Sequence, residues 1–140
     1  MAVEHNRSLV ERYFSDCVSR VNGPDRAAAL AIVDELMTPD FAMTYNSDDP
    51  SRADRGSKRH KAFLIEHGRS YPNDTWTVET IVADAETVAC VWRIRARHAD
   101  SGTTIDVRAG DFFRVRDGRL SELRRFLDFE DLHRQTSPPG

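Results

Sequence analysis

From Thr75 to Asp128 the chain reads as strand segments in close succession, Thr75–Asp84, Thr87–Ala99, Thr103–Arg116 and Leu120–Asp128, separated by short turns at Asp84–Glu86, Asp100–Gly102 and Arg116–Asp117–Gly118. Connections this short join strands antiparallel, so a meander is predicted. Val88, Cys90, Trp92, Ile94, Ala96 and His98 share one face of the second segment. Ile105, Val107, Ala109, Asp111, Phe113 and Val115 share one face of the third. Asp111 interrupts that apolar face. An unpartnered carboxylate in a core costs several kcal/mol, so Asp111 must be paired, protonated or turned toward a cavity.

Upstream the period becomes helical. Leu9, Val10, Tyr13, Phe14, Cys17, Val18 and Val21 recur at helical spacing until Asn22–Gly23–Pro24 ends the run. A second helix is predicted from about Asp25 to Met37, closed by Thr38–Pro39, and the two form a hairpin. Phe41–Tyr45 reads as a short strand, the polar stretch Asn46–Arg55 as a flexible lid, and Gly56–Ser70 as a third helix with Ala62, Phe63, Leu64 and Ile65 on its apolar stripe. A short helix at Phe129–Arg134 and a frayed tail at Gln135–Gly140 complete the chain. Helices followed by an antiparallel sheet define an α+β domain, expected to be single across 1–140 with its core at about 7–135.

Charge narrows the function classes. The formal net charge is −3, and the basic residues form no patch interleaved with aromatics, so nucleic acid is not expected as a partner. MAVEHNRSLVER carries charges where a signal peptide needs an apolar run, and no apolar stretch approaches the roughly 20 residues of a membrane span. A cytoplasmic protein without membrane association is expected. Cys17 and Cys90 lack a CxxC spacing and read as buried small residues. His5, His60, His67 and His133 share no ligand spacing, and no phosphate loop or activated nucleophile stands out. Neither metal nor cofactor is expected, which leaves proton transfer as the available chemistry.

The stretches RSYPNDTWTVE (Arg69–Glu79) and DFFRVRDGRLSE (Asp111–Glu122), with the order of elements from about Arg7 to Gln135, resemble the nuclear transport factor 2-like superfamily and, within it, the SnoaL-like polyketide cyclases. The resemblance implies a curved antiparallel sheet wrapped around the N-terminal helices as a cone, with an apolar pocket at its open end. It does not fix a reaction, because this scaffold hosts isomerases, cyclases, dehydratases, epoxide hydrolases and non-enzymatic binders.

Ketosteroid isomerase resembles the chain at Tyr13 in VERYF and Asp111 in AGDFFRV, which match its oxyanion pair. Tyr45 stands where that enzyme has its general base, with Asp48 and Asp49 later in the loop. The SnoaL-like cyclases resemble it at Asp128 in RRFLDFEDLHRQ and, displaced by about one residue, at His98 in RIRARHAD. Limonene epoxide hydrolase is similar at Asp128, but Trp92–Arg93–Ile94–Arg95 lacks the Asp of its water-activating triad.

The candidate catalytic residues are therefore Tyr13, Asp111, Asp128 and His98. Tyr45, Trp76, Trp92, Phe113 and Phe126 are expected to wall a pocket for a lipophilic carbonyl compound. Each has a structural alternative. Tyr13 and Asp111 could satisfy one another, Asp128 could cap the last helix, His98 could sit exposed on its hairpin, and the aromatics could be plain core. One of Arg108, Arg114, Arg116, Arg124 and Arg125 could hold Asp111 or Asp128 ionised. A homodimer through the outer sheet face is implied by the resemblance, with Leu123 and Leu127 flanking Arg125 on the face opposite Asp128. The alternative to an enzyme is a non-catalytic binder using the same pocket.

Overall fold

The computed structural model describes residues 2–137. Its elements run α1 (Ala2–Arg12), a π-helix (Tyr13–Val18), α2 (Arg26–Leu36), β1 (Met37–Tyr45), a 3-10 turn (Pro50–Arg52), β2 (Asp54–Arg55), α3 (Ser57–Ser70), β3 (Thr75–Ala83), β4 (Thr87–Arg97), β5 (Thr104–Arg116), β6 (Arg119–Phe126) and α4 (Phe129–Thr136). The fold is α+β, with one sheet ordered β2-β1-β6-β5-β4-β3. The predicted meander from β3 to β6 is antiparallel throughout. β1, however, runs parallel to β6, so the sheet is mixed.

Local chemistry explains the boundaries. Asp117 and Gly118 adopt φ of 54° and 75°, the left-handed pair that a tight Asp-Gly hairpin requires between β5 and β6. β1 starts at Met37, earlier than its composition suggests, and Pro39 falls in the register break between Met37 and Ala42. No ladder bond is asked of Pro39 there. Further register breaks at Val78/Thr80 and Arg114/Val115 bend β3 and β5–β6, and such bulges curve the sheet into the cone.

The core lies on the concave face. Val88, Cys90, Trp92, Ile94 and Ala96 of β4 and Ile105, Val107, Ala109 and Phe113 of β5 are buried there under Leu9, Val10, Ala29, Val33 and Leu36 of the helices. The first helix widens at Tyr13 into the π-helix, which turns Tyr13, Phe14, Cys17 and Val18 all inward. Burial pushes the Cys17 and Cys90 thiols up to about 12, so both are inert small residues.

Asn46–Arg55, expected as a flexible lid, is held by several local contacts. The Asn46 side chain donates to Leu127 O at 2.8 Å and accepts from Leu127 N at 2.9 Å, Asp49 caps the 3-10 turn, and β2 pairs with β1. The loop borders a polar groove with Arg114, Arg116 and Arg124. α4 runs to Thr136, and Gln135 ties it to β5 through both the N–H and the carbonyl of Asp106, at 2.7 and 3.1 Å. Of the expected frayed tail, Pro138–Gly140 lie outside the described residues. Among the described residues no helix is long and apolar enough to cross a membrane.

Candidate functional site

Antiparallel pairing of β5 with β6 sets Asp111 directly opposite Arg125 on the inner face. Arg125 Nε donates to Oδ1 and Nη2 to Oδ2, both at 2.8 Å, and the two residues are 1% and 3% exposed. Both carboxyl oxygens accept, so Asp111 has no proton to offer. Burial alone pulls the Arg125 guanidinium down; the facing Asp111 carboxylate overrides it and holds Arg125 well above an arginine's ordinary value. The guanidinium stacks 4.7 Å from the Trp92 ring centre and 6.0 Å from that of Tyr45. Nη1 takes no part in the bond to Asp111.

That cation sits at the wall of a cavity of ≈ 140 Å³, bounded by Tyr45, His67, Tyr71, Trp92, Ile94, Ile105, Val107, Leu127, Phe129 and Leu132. α3 supplies His67, and Tyr71 follows at its end. A side chain at Gly68 would collide with Asn22, which donates to Tyr71 O at 3.2 Å and Asp74 at 3.1 Å; the glycine lets α3 close against this turn. Rings continue the wall, with His67 4.9 Å from Tyr71 and 5.3 Å from Trp76, and Trp76 4.7 Å from Trp92. Burial, reinforced by the charge of Arg125, lowers His67 to about 4, so its imidazole is neutral at neutral pH. The cavity is thus an apolar slot with one buried cation, one neutral imidazole and two tyrosines. Among the described residues no three of His, Cys, Asp and Glu converge as a metal would require.

The expected oxyanion pair is not assembled. Tyr13 is fully buried, but its hydroxyl shares a 2.8 Å hydrogen bond with His60 Nε2, while Asp111 is bound to Arg125. Burial, then the field of Arg125, drops His60 to about 3, and burial raises the Tyr13 hydroxyl well above its usual value. Asp128 is exposed and accepts from Asp131 N at 3.0 Å as the N-cap of α4, the structural one of its two expected roles. His98 is half-buried behind Tyr71, 5.5 Å between rings, with Nδ1 bonded to Ser101 Oγ at 2.8 Å. Tyr45 and Trp92 line the cavity as expected; Trp76 does not, and instead lines a separate small void that shares His67 and Arg125 with it. Phe113 is core, packed 5.9 Å from Tyr13. Phe126 points outward at 43% exposed, and Leu123, expected outside, is fully buried.

One irregularity accounts for these reversals. β5 pairs Arg116 with Arg119 and Val115 with Leu120, but then Arg114 with Glu122, so Ser121 is an extra residue in β6. An unbroken hairpin would put Glu122, Arg124, Phe126 and Asp128 on the inner face. The bulge exchanges the faces and brings Leu123, Arg125 and Leu127 inside. Arg125 and His67, the polar centre of the cavity, were not singled out by the sequence. His67 carried a faint signal, since it lies one heptad beyond buried His60 on the inner stripe of α3.

Residues 10–123 match the SnoaL-like domain, and the chain belongs to that family. Among solved structures, a candidate SnoaL-like polyketide cyclase from Jannaschia sp. CCS1 superimposes with a TM-score of 0.86 at 22% identity, over 99% of this chain and 96% of its own. A candidate polyketide cyclase from Xanthomonas campestris pv. campestris gives 0.76 at 21% identity, over 98% and 100%. An epoxide hydrolase of the limonene type from M. tuberculosis gives 0.71 at 15% identity, over 97% and 92%. These likenesses establish the nuclear transport factor 2-like fold. No curated protein matches the chain.

Proposed function

We propose that the chain carries out cofactor-free acid–base chemistry, of the isomerase, cyclase or dehydratase type, on a small lipophilic carbonyl compound held in the Tyr45–Trp92–Leu132 cavity. The supporting observation is Arg125, a charged donor at the wall of an apolar slot beside the neutral imidazole of His67. In this reading Arg125 Nη1 holds the carbonyl oxygen and stabilises the enolate as it forms. His67 takes the proton from the adjacent carbon and returns it elsewhere. A lone imidazolium beside Arg125 is disfavoured, but one formed together with an enolate is compensated. The family resemblance and the neighbouring candidate polyketide cyclases fit this substrate class.

A second reading is a non-catalytic binder. The observation favouring it is that Tyr13, Asp111 and Asp128 are all engaged by protein partners. Deuterium exchange at the α-carbon of a panel of cyclic ketones separates the two. An enzyme exchanges the label, loses about 10²–10⁴-fold of that rate in His67→Phe, and keeps it in Asp128→Asn, which still caps α4. Binding without exchange supports the binder and refutes catalysis.

A further inference from the structure

Two indoles meet near the Arg125 guanidinium, and they are not equivalent. Trp76 Nε1 donates to Asp74 Oδ2 at 2.6 Å. Trp92 Nε1 is buried and has no hydrogen-bond partner among the described residues; the side chain lines the cavity, and the nitrogen is shielded so closely that a ligand oxygen reaches it only where the cavity wall gives slightly. A buried donor left unpaired costs about 1–3 kcal/mol, which a fold rarely tolerates without a use for it. Beside it, stacked on the same ring, is the Arg125 guanidinium with Nε and Nη2 committed to Asp111.

The charge of the site selects what those donors can receive. Arg125 is neutralised by Asp111, and the nearest imidazoles, His67 and His60, are uncharged at neutral pH. A carboxylate entering this slot would shed its hydration and meet a cation already engaged at two of its nitrogens by Asp111. An uncharged carbonyl oxygen needs only donors. We propose that Trp92 Nε1 and Arg125 Nη1 form a two-donor seat for one uncharged oxygen of the ligand, a ketone, quinone or ester carbonyl, and that Trp92 is the residue selecting for it. This rests on the cavity being the ligand site, as proposed above.

Three bicyclic probes of matched shape test it: 1-tetralone, its hydrocarbon tetralin, and tetralin-1-carboxylate. In amide-and-indole NMR spectra of the ¹⁵N-labelled protein, 1-tetralone moves the Trp92 indole N–H downfield and leaves that of Trp76 in place; tetralin moves neither by hydrogen bonding. Trp92→Phe, which keeps an aromatic side chain but removes the indole donor, weakens 1-tetralone by about 3- to 10-fold more than it weakens tetralin. Should Trp92→Phe fail to fold, the wild-type spectra decide alone, with Trp76→Phe assigning the peaks. A bound ketone with an unmoved Trp92 peak overturns the seat, as does an equal loss for ketone and hydrocarbon. A carboxylate bound more tightly than the ketone overturns the selection for uncharged oxygen. Tetralin binding without 1-tetralone removes the seat but keeps the cavity, whereas no binding of any probe overturns both.

Discussion

Arg125 cannot retreat to water, so one carboxylate carries the whole burden of its burial. Replacing Arg125 by Met strands Asp111 at the centre of the sheet and is expected to cost about 3–5 kcal/mol of stability in urea denaturation, while Arg125→Met with Asp111→Leu recovers most of it. Recovery identifies a mutually dependent pair; an additive double variant would contradict it. The histidines set a pH dependence of definite sign. An unfolded histidine titrates near 6.5, but His60 and His67 titrate at about 3 and about 4 in the fold. As pH falls below 6.5 the unfolded chain binds protons first, so stability declines, and the decline ends only below those folded values. Each histidine contributes a loss of about 2 kcal/mol between pH 7 and pH 5, read from denaturation midpoints. At this scale the sequence was half legible. Alternation showed that Asp111 had to be paired, protonated or turned toward a cavity; the resemblance pointed to protonation beside Tyr13, and an ion pair with one of five arginines stood as the alternative. Which arginine it was depended on hairpin register.

That register belongs to the elements. Ser121 is the bulged residue of β6, with its hydroxyl donating to Arg114 O at 3.2 Å. Nothing in RDGRLSELRRF marks Ser121 as extra, because a strand pattern of mixed Leu, Arg and Glu fits either face. Deleting Ser121 restores the unbroken hairpin and turns Leu123 and Arg125 to solvent. It is expected to cost more than about 4 kcal/mol or abolish folding, whereas Ser121→Ala, which keeps the extra residue, costs about 1 kcal/mol, both measured by chemical denaturation. Strands bounded by strong turns, such as β4 and β5, were legible to within a residue or two. The π-helical widening at Tyr13 was not, since the same inward residues satisfy an ordinary helix.

For the whole molecule, the exposed face of the sheet is the feature that the burial of Arg125 leaves behind. Val82, Val91, Phe112 and Phe126, on β3 through β6, are all substantially exposed and line one apolar surface depression. A continuous apolar patch of this kind suits self-association. The outer-face homodimer implied by the family resemblance is expected here, through Phe112 and Phe126 instead of Leu123 and Leu127. Light scattering on size-exclusion fractions should give a dimer for the native chain and a monomer for Phe112→Glu with Phe126→Glu; a native monomer would rule it out. The fold class and the meander followed from the sequence. The parallel pairing of β1 with β6 did not, because no local signal links segments so far apart.

The strand order also governs how the molecule comes into being. β6 lies between β1 and β5, so the middle of the sheet is the last strand to be synthesised. A chain emerging from the ribosome can complete the β3–β5 meander while β1 and its helices wait undocked. Closure then requires a contact spanning most of the sequence, whose loop entropy is lost before any burial is gained. The Asp111–Arg125 pair is local to the β5–β6 hairpin, but the Tyr45 wall of the cavity arrives only when β1 docks on β6, so the binding slot and the completed fold arise together.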